Sequence, residues 1–207
     1  MTHMIYEHQS PSNHTQIPTN GARPAQRVHP LEGREAPLLL RVLNRVSRHL
    51  LGQEATPLKI LAHNPRFLLP YLALSRLVQG KTRLAPEIRI LVMHHVAQIN
   101  GCAWCLDFGQ FQARRLRVPA EKLGATGDPT PSALFSPAEQ AALAYATEVT
   151  AVGARVADDT FTTLRQHFSE REIVELTVAI AAENMFNRLN APLEIESQGF
   201  CALPAHR

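Results

Sequence analysis

The stretch Gln98-Ile99-Asn100-Gly101-Cys102-Ala103-Trp104-Cys105-Leu106-Asp107 decides how this chain is read, and it lies inside a longer helical run, residues 87–115. Helical patterning holds up to Asn100-Gly101, and two thiols then follow three positions apart. On a helix or its first turn that spacing puts both sulfurs on one face, within reach of a disulfide. In a reducing compartment such a pair serves redox chemistry or half of a metal site. At a helix N-terminus, unpaired N–H groups and the positive end of the dipole favour thiolate over thiol, which makes the sulfur a nucleophile. The pair is therefore the candidate active site.

Upstream, Leu84-Ala85-Pro86 opens a central helix on which Ile88, Val92, His95 and Ile99 share one face. Cys102 continues that face if Gly101 keeps the helical phase, so His95 is expected to look toward the thiols and His94 elsewhere, with Ile90 and Ala97. Downstream, a helix from Cys102 to about residue 116 carries Phe108 and Phe111. Farther out, residues 37–51 form a helix ended by Gly52, and residues 57–63 a short helical turn. Asn64-Pro65 starts a helix that runs to Gly80, with Pro70 expected to kink or restart it. Residues 119–123 make another short turn, and residues 124–135 are expected to be a loop. Capping boxes at Ser136/Glu139 and Ser169/Glu172 open helices to about residues 149 and 190, and Asp158 or Asp159 is expected to cap a shorter helix between them. The predicted fold class is all-α, and no fixed-period repeat is present.

Composition narrows the partners. Of 207 residues, 45% are hydrophobic and 19% charged, an ordinary globular balance. The net charge of +3 is spread among acids rather than gathered in a stripe with aromatics, which argues against nucleic acid. Three cysteines are too few for a disulfide scaffold, no apolar run is long enough for a bilayer and the start lacks a signal-peptide pattern, so a cytoplasmic protein without membrane contact is expected. Residues 1–30, rich in proline, histidine and small polar side chains, are expected to be a flexible arm before one helical domain, 31–207.

The thiol block, together with Ala182-Glu183-Asn184-Met185-Phe186-Asn187-Arg188-Leu189-Asn190, resembles the alkylhydroperoxidase D-like branch of the carboxymuconolactone decarboxylase family over roughly residues 57–200. The resemblance implies an all-helical fold assembled into trimers or hexamers, with no cofactor and no resident metal. It implies a dithiol that cycles to a disulfide while reducing a peroxide, with a dithiol electron donor. The residue matching Cys105 attacks and the one matching Cys102 resolves. The family's proton relay uses a glutamate and a histidine at the positions held here by Ile90 and Gly109, so neither relay group is present. His95 is the candidate substitute, since an imidazole exchanges protons near neutral pH; its other reading is a hydrogen-bonded core residue. Asp107 matches the family motif and equally suits a first helical turn. Trp104 reads as a core or interface anchor. Asn184, Asn187 and Asn190 read first as ordinary polar residues near a helix end, with holding the thiol loop or a neighbouring subunit as the alternative, and Cys201 as an idle or buried thiol.

The leading reading is a dithiol oxidoreductase that reduces peroxides. Against it stand a non-enzymatic redox sensor or oligomeric scaffold, decarboxylase or lactone chemistry, and a zinc site joining the thiols to His94 and His95. Adjacent helical residues point ~100° apart, which sets both histidines poorly for one tetrahedral ion. Sedimentation in reducing buffer is expected to give a mass well above the 23.0 kDa chain; a monomer across micromolar concentrations would contradict the oligomer.

Overall fold

Residues Ile90 to Ala97 are buried without interruption along helix α4 (Pro86–Ile99), and the remaining helices are arranged to cover them. A helix apolar on every side must be enclosed on every side. The computed structural model describes residues 26–128 and 133–203. Among these it holds α1 (Leu38–Leu51), α2 (Thr56–Leu61), α3 (Leu68–Gln79), α4, α5 (Ala103–Arg115), α6 (Ala120–Gly124), α7 (Pro137–Thr150), α8 (Asp158–Arg165) and α9 (Glu170–Asn190), with no strand. The all-α expectation is met. None of these helices is long and apolar enough to cross a membrane.

Each face of α4 has its own neighbour. Val92 and Val96 pack with Ala142 and Tyr145 of α7 and Leu176 and Ile180 of α9. Ile90 and Leu91 meet Ala113 of α5 and Leu123 of α6, and Met93 meets Val78 of α3 and Phe186 of α9. Ala97 lies in the cluster that contains both thiols, Trp104 and Phe111. Ile99 falls outside this packing at 44% exposure, so the stripe expected to end on it stops one turn earlier.

The turn between α4 and α5 explains why. Gly101 adopts φ +64°, the left-handed region open to glycine, while its N–H bonds Gln98 O and that of Cys102 bonds Ala97 O. This paired closure ends α4 and breaks the helical phase. Cys102 becomes the N-cap of α5 instead of a continuation of the His95 face.

Both capping boxes form as expected, at Ser136/Glu139 and Ser169/Glu172. Three boundaries differ. Asn64 caps a 3-10 turn, Pro65–Phe67, and α3 begins at Leu68, which leaves Pro70 in a first turn where its missing N–H has no helical partner to lose. The N-cap of α8 is Ala157, because Glu148 of α7 accepts its N–H and the Thr160 hydroxyl; Asp158 and Asp159 sit in the first turn. The expected loop from residue 124 starts with a 3-10 turn, Ala125–Gly127, around the buried Thr126.

Most of the expected N-terminal arm, residues 1–25, lies outside the described residues. Its last part is tied down: Arg27 donates from its backbone to Leu193 O and pairs with Glu194, and Val28 packs on the core. The C-terminal segment closes the other side. Phe200, fully buried, meets Trp104 and Phe108 edge-on at 5.8 and 5.3 Å between ring centres. Phe200→Ala is expected to lower the unfolding free energy by about 3–5 kcal/mol in urea titrations of the reduced protein, since it removes a fully buried ring from a cluster of three others.

Candidate active site

Cys102 and Cys105 are joined as a disulfide, with 5.3 Å between their Cα atoms. The Cys102 sulfur accepts the Cys105 backbone N–H at 3.3 Å, as an N-cap side chain does. Cys105 lies one turn into α5, where its sulfur receives the Asn190 side-chain N–H of α9 at 3.4 Å. Exposure separates the two: Cys102 is at 0% and Cys105 at 7%. Cys105 lines a cavity of about 220 Å³, and Cys102 does not.

That cavity runs between α1, α2, α3, α4, α5 and α9, and its wall is mainly apolar: Leu43, Leu58, Leu72, Trp104, Phe108 and Phe186. Val46 and Leu50, exposed on α1, mark its edge toward solvent. Trp104 stacks on Phe108 at 5.0 Å and donates its indole N–H to Gln198 at 2.6 Å, so it serves as wall and tie together.

The sequence-predicted residues divide as follows. Asp107, 4% exposed, accepts the backbone N–H groups of Gln198, Phe200 and Cys201 at 2.8, 3.0 and 2.7 Å. It clamps the C-terminal segment onto α5. Burial alone would raise its carboxyl, but the Cys201 and Phe200 amides, the Cys201 thiol and the Gln198 amide outweigh it and hold the pKa below the usual value. Asn100 donates to Asn184 at 3.1 Å and Asn187 at 3.0 Å, which pins the loop before the thiols to α9. Asn184, Asn187 and Asn190 thus hold the dithiol loop within one chain.

His95 is the correction. Its Nε2 lies 2.7 Å from the Thr147 hydroxyl of α7, and it lines a different cavity, with Thr126 and His167, that contains no thiol. The phase break at Gly101 is the physical cause. Its neighbour His94, expected to point elsewhere, lines the dithiol cavity with Ile90, Met93 and Gly109. A Cβ on Gly109 would stand 3.2 Å from His94 Cδ2, so the imidazole ring fills the space beside Gly109. The two histidines serve separate cavities, which removes the four-ligand zinc arrangement.

The Thr126 hydroxyl has one proton and two acceptors in reach, Gln98 Oε1 at 2.7 Å and Leu123 O at 2.8 Å. Its oxygen lies 3.2 Å from His94 Nδ1, and the Nε2 of the same ring is buried with no partner. Burial, then the nearby His95, pushes the His94 pKa down to about 4, so the ring is neutral at neutral pH.

Glu183 of α9 is the functional candidate that sequence reading missed. It lines the same cavity, 7% exposed, and accepts from Asn187 Nδ2 at 2.6 Å. Burial pushes its carboxyl up to about 7 against the Asn187 bond that favours the charge. A signal was available: residues 183, 187 and 190 step by four and three, one polar stripe on an otherwise packed helix.

The chain matches the Carboxymuconolactone decarboxylase family profile over residues 65–148. The uncharacterized Escherichia coli K12 protein YnjA is 31% identical over 172 residues, 83% of this chain and 94% of that protein. The chain belongs to the carboxymuconolactone decarboxylase family, in its alkylhydroperoxidase D-like branch. Among solved structures, ATU0492 from Agrobacterium tumefaciens, a protein of unknown function proposed as antioxidant defence protein AhpD, superposes with a TM-score of 0.61 at 30% identity over 66% of this chain and 94% of that one. The alkylhydroperoxidase AhpD core of an uncharacterized peroxidase-related protein from Ralstonia eutropha JMP134 shares the fold, with a TM-score of 0.76 at 17% identity over 89% and 99% of the two chains.

Asp107→Asn is expected to lower stability by on the order of 3 kcal/mol, since charge-assisted bonds to three amides are weakened. The folded carboxyl titrates below the unfolded one. Its stabilisation is therefore complete above the unfolded pKa and lost as pH falls through the folded value. Urea titrations down a pH series should show the wild type losing stability in that window and Asp107→Asn losing less.

Proposed function

We propose that this protein is a cytoplasmic dithiol oxidoreductase that reduces organic hydroperoxides through a Cys102/Cys105 disulfide cycle. The observation that carries the reading is a Cys-x-x-Cys pair with one sulfur, Cys105, in the wall of an apolar cavity and the other, Cys102, sealed behind it. The Cys105 thiolate attacks the outer oxygen of ROOH. An S–O bond forms, the O–O bond breaks, and the departing RO⁻ takes a proton to become ROH. Cys102 then attacks the Cys105 sulfenic acid, forming the disulfide and releasing the hydroxyl with the Cys102 proton as water. A dithiol donor regenerates both thiols and is itself oxidised to a disulfide.

The apolar wall favours a hydrophobic R group over hydrogen peroxide, because burying R removes apolar surface from water. Donor access supports the same division of labour: a thiol entering the cavity meets Cys105 alone. Asp107 acts in this scheme by holding the C-terminal segment against α5. Family membership supports assembly into a trimer or hexamer.

In a turnover assay with cumene hydroperoxide and dithiothreitol, the free-thiol count of the wild type should cycle between three and one. Cys105→Ser should reduce turnover to background. Cys102→Ser should still react once with peroxide and, given one equivalent of a monothiol such as 2-mercaptoethanol in place of dithiothreitol, accumulate a mixed disulfide at Cys105, visible by mass spectrometry. Oxidation that is stoichiometric but never turns over, with every donor tried, is the behaviour of a redox sensor and would displace the enzyme reading.

A further inference from the structure

We propose that Glu183 is the proton carrier of the dithiol centre, taking the Cys105 proton and delivering it to the leaving oxygen, with His94 as the residue that positions the exchanging groups. The inference rests on the peroxide-reducing reading above and names the acid–base group which that reading lacks.

The positions from which relatives supply relay groups are silent here: Ile90 is aliphatic and Gly109 has no side chain. Peroxide cleavage still needs a base for the attacking thiol and an acid for the alkoxide. Glu183 and His94 both line the cavity that Cys105 lines, Glu183 from α9 and His94 from α4. The other titratable group on that wall is Tyr71 of α3, whose phenol is held protonated by burial and by the Glu183 charge. Among the described residues no lysine, arginine or second carboxyl lines the cavity, and α1 and α2 contribute no titratable group. Glu183 is thus the one carboxyl available to anything bound against Cys105.

Its connections suit the role. Asn187 donates to Glu183 through its amide and accepts from Asn100 through its carbonyl, so the carboxyl is fixed to the loop that carries the thiols. Asn190, one turn further, donates to the Cys105 sulfur. One helix face therefore holds the carboxyl and the sulfur in a common frame. His94 fills the room left by Gly109 and keeps a buried Nε2 with no partner, a polar atom that the hydroxyl end of a bound ROOH or a water between thiol and carboxyl would satisfy. A carboxyl buried to the point of titrating near neutral pH can both accept and return a proton, the property a shuttle requires.

The step balances. Cys105–SH passes its proton through water in the cavity to the Glu183 carboxylate, and the thiolate sulfur bonds to the outer peroxide oxygen as the O–O bond breaks. The RO⁻ formed takes the proton from Glu183, leaving Cys105–SOH, ROH and Glu183 again as carboxylate.

The test uses the full-length protein, reduced, with cumene hydroperoxide as the probe. Glu183→Gln keeps the shape and the Asn187 acceptor. It should slow peroxide oxidation of the dithiol by about 10²-fold and remove the inflection near pH 7 from the rate profile. Adding Ile90→Glu, which returns a carboxyl to the same cavity from the relatives' position, should restore part of the rate. A Glu183→Gln variant oxidised at the wild-type rate with an unchanged profile overturns the proposal while leaving the peroxide reading intact.

A second measurement needs no peroxide. In a Cys102→Ser, Cys201→Ser background, iodoacetamide alkylation of Cys105 should show a step near pH 7 that Glu183→Gln abolishes. Identical alkylation profiles overturn the proposal. A step present in a protein that turns over no peroxide supports the Cys105–Glu183 exchange and dismisses the peroxide instead. If Glu183→Gln does not fold, infrared spectra of the wild type decide: a buried carboxyl band that titrates near pH 7 and changes on dithiol reduction supports the proposal, and no such band overturns it.

Discussion

The left-handed turn at Gly101 is the constraint on which the site depends. It ends α4 with paired backbone bonds to Gln98 and Ala97 and, one residue later, makes Cys102 the cap of α5. A residue with a Cβ would carry φ +64° at a steric cost, although nothing crowds that Cβ position. The turn sets where both sulfurs lie relative to α4 and therefore which side chains of α4 can reach them. Asn100, immediately before it, fastens the turn to α9 through two amides. The active centre is thus built where three helices meet, with the loop between two of them held by the third.

This placement decides which side chains wall the cavity. One turn after the second cysteine stands Gly109, and the α4 ring of His94 occupies the adjoining space. Glycine allows α5 to approach α4 at that level, and the approach brings His94 against the cavity. The carboxyl on the cavity wall is Glu183 of α9, and position 90 of α4 is an isoleucine. An imidazole from α4 and a carboxyl from α9 therefore share the wall with Cys105.

Helix identity was legible because it is local. The Ser-x-x-Glu boxes, Asn-Gly and the apolar periodicities act over three to five residues, and each produced the element expected of it. The dithiol was legible for the same reason. The histidine assignment failed because it required the phase of α4 to continue through Gly101, whereas the left-handed turn rotates everything beyond it. Asp158 and Asp159 lost the cap of α8 to Glu148, a residue of another helix. Glu183 was hidden in a different way: its role comes from three helices enclosing one carboxyl, and no local pattern encodes that enclosure. Only the spacing of 183, 187 and 190 hinted at a polar face turned inward.

The two sulfurs divide their tasks on electrostatic grounds. Cys102 takes a helix-terminal N–H, and the dipole of α5 favours negative charge at that sulfur, yet no substrate reaches it. A sulfur capped by a helix-terminal N–H but buried is poorly placed to attack an outside molecule and well placed to leave. In the proposed cycle a donor thiol opens the disulfide at Cys105 and Cys102 departs as thiolate, and exchange is faster the lower the pKa of the leaving thiol. Cys105, one turn inside the helix and facing the cavity, gains less from the dipole and depends on neighbouring groups for its activation. Asn190 supplies one hydrogen bond to it, which is less than a helix terminus offers. The helix end therefore eases the reductive half of the cycle, while the oxidative half falls to the side chains on the opposite wall. A site with its dipole spent on Cys102 needs a separate proton acceptor for Cys105, and the buried carboxyl of α9 stands in the cavity where that need arises.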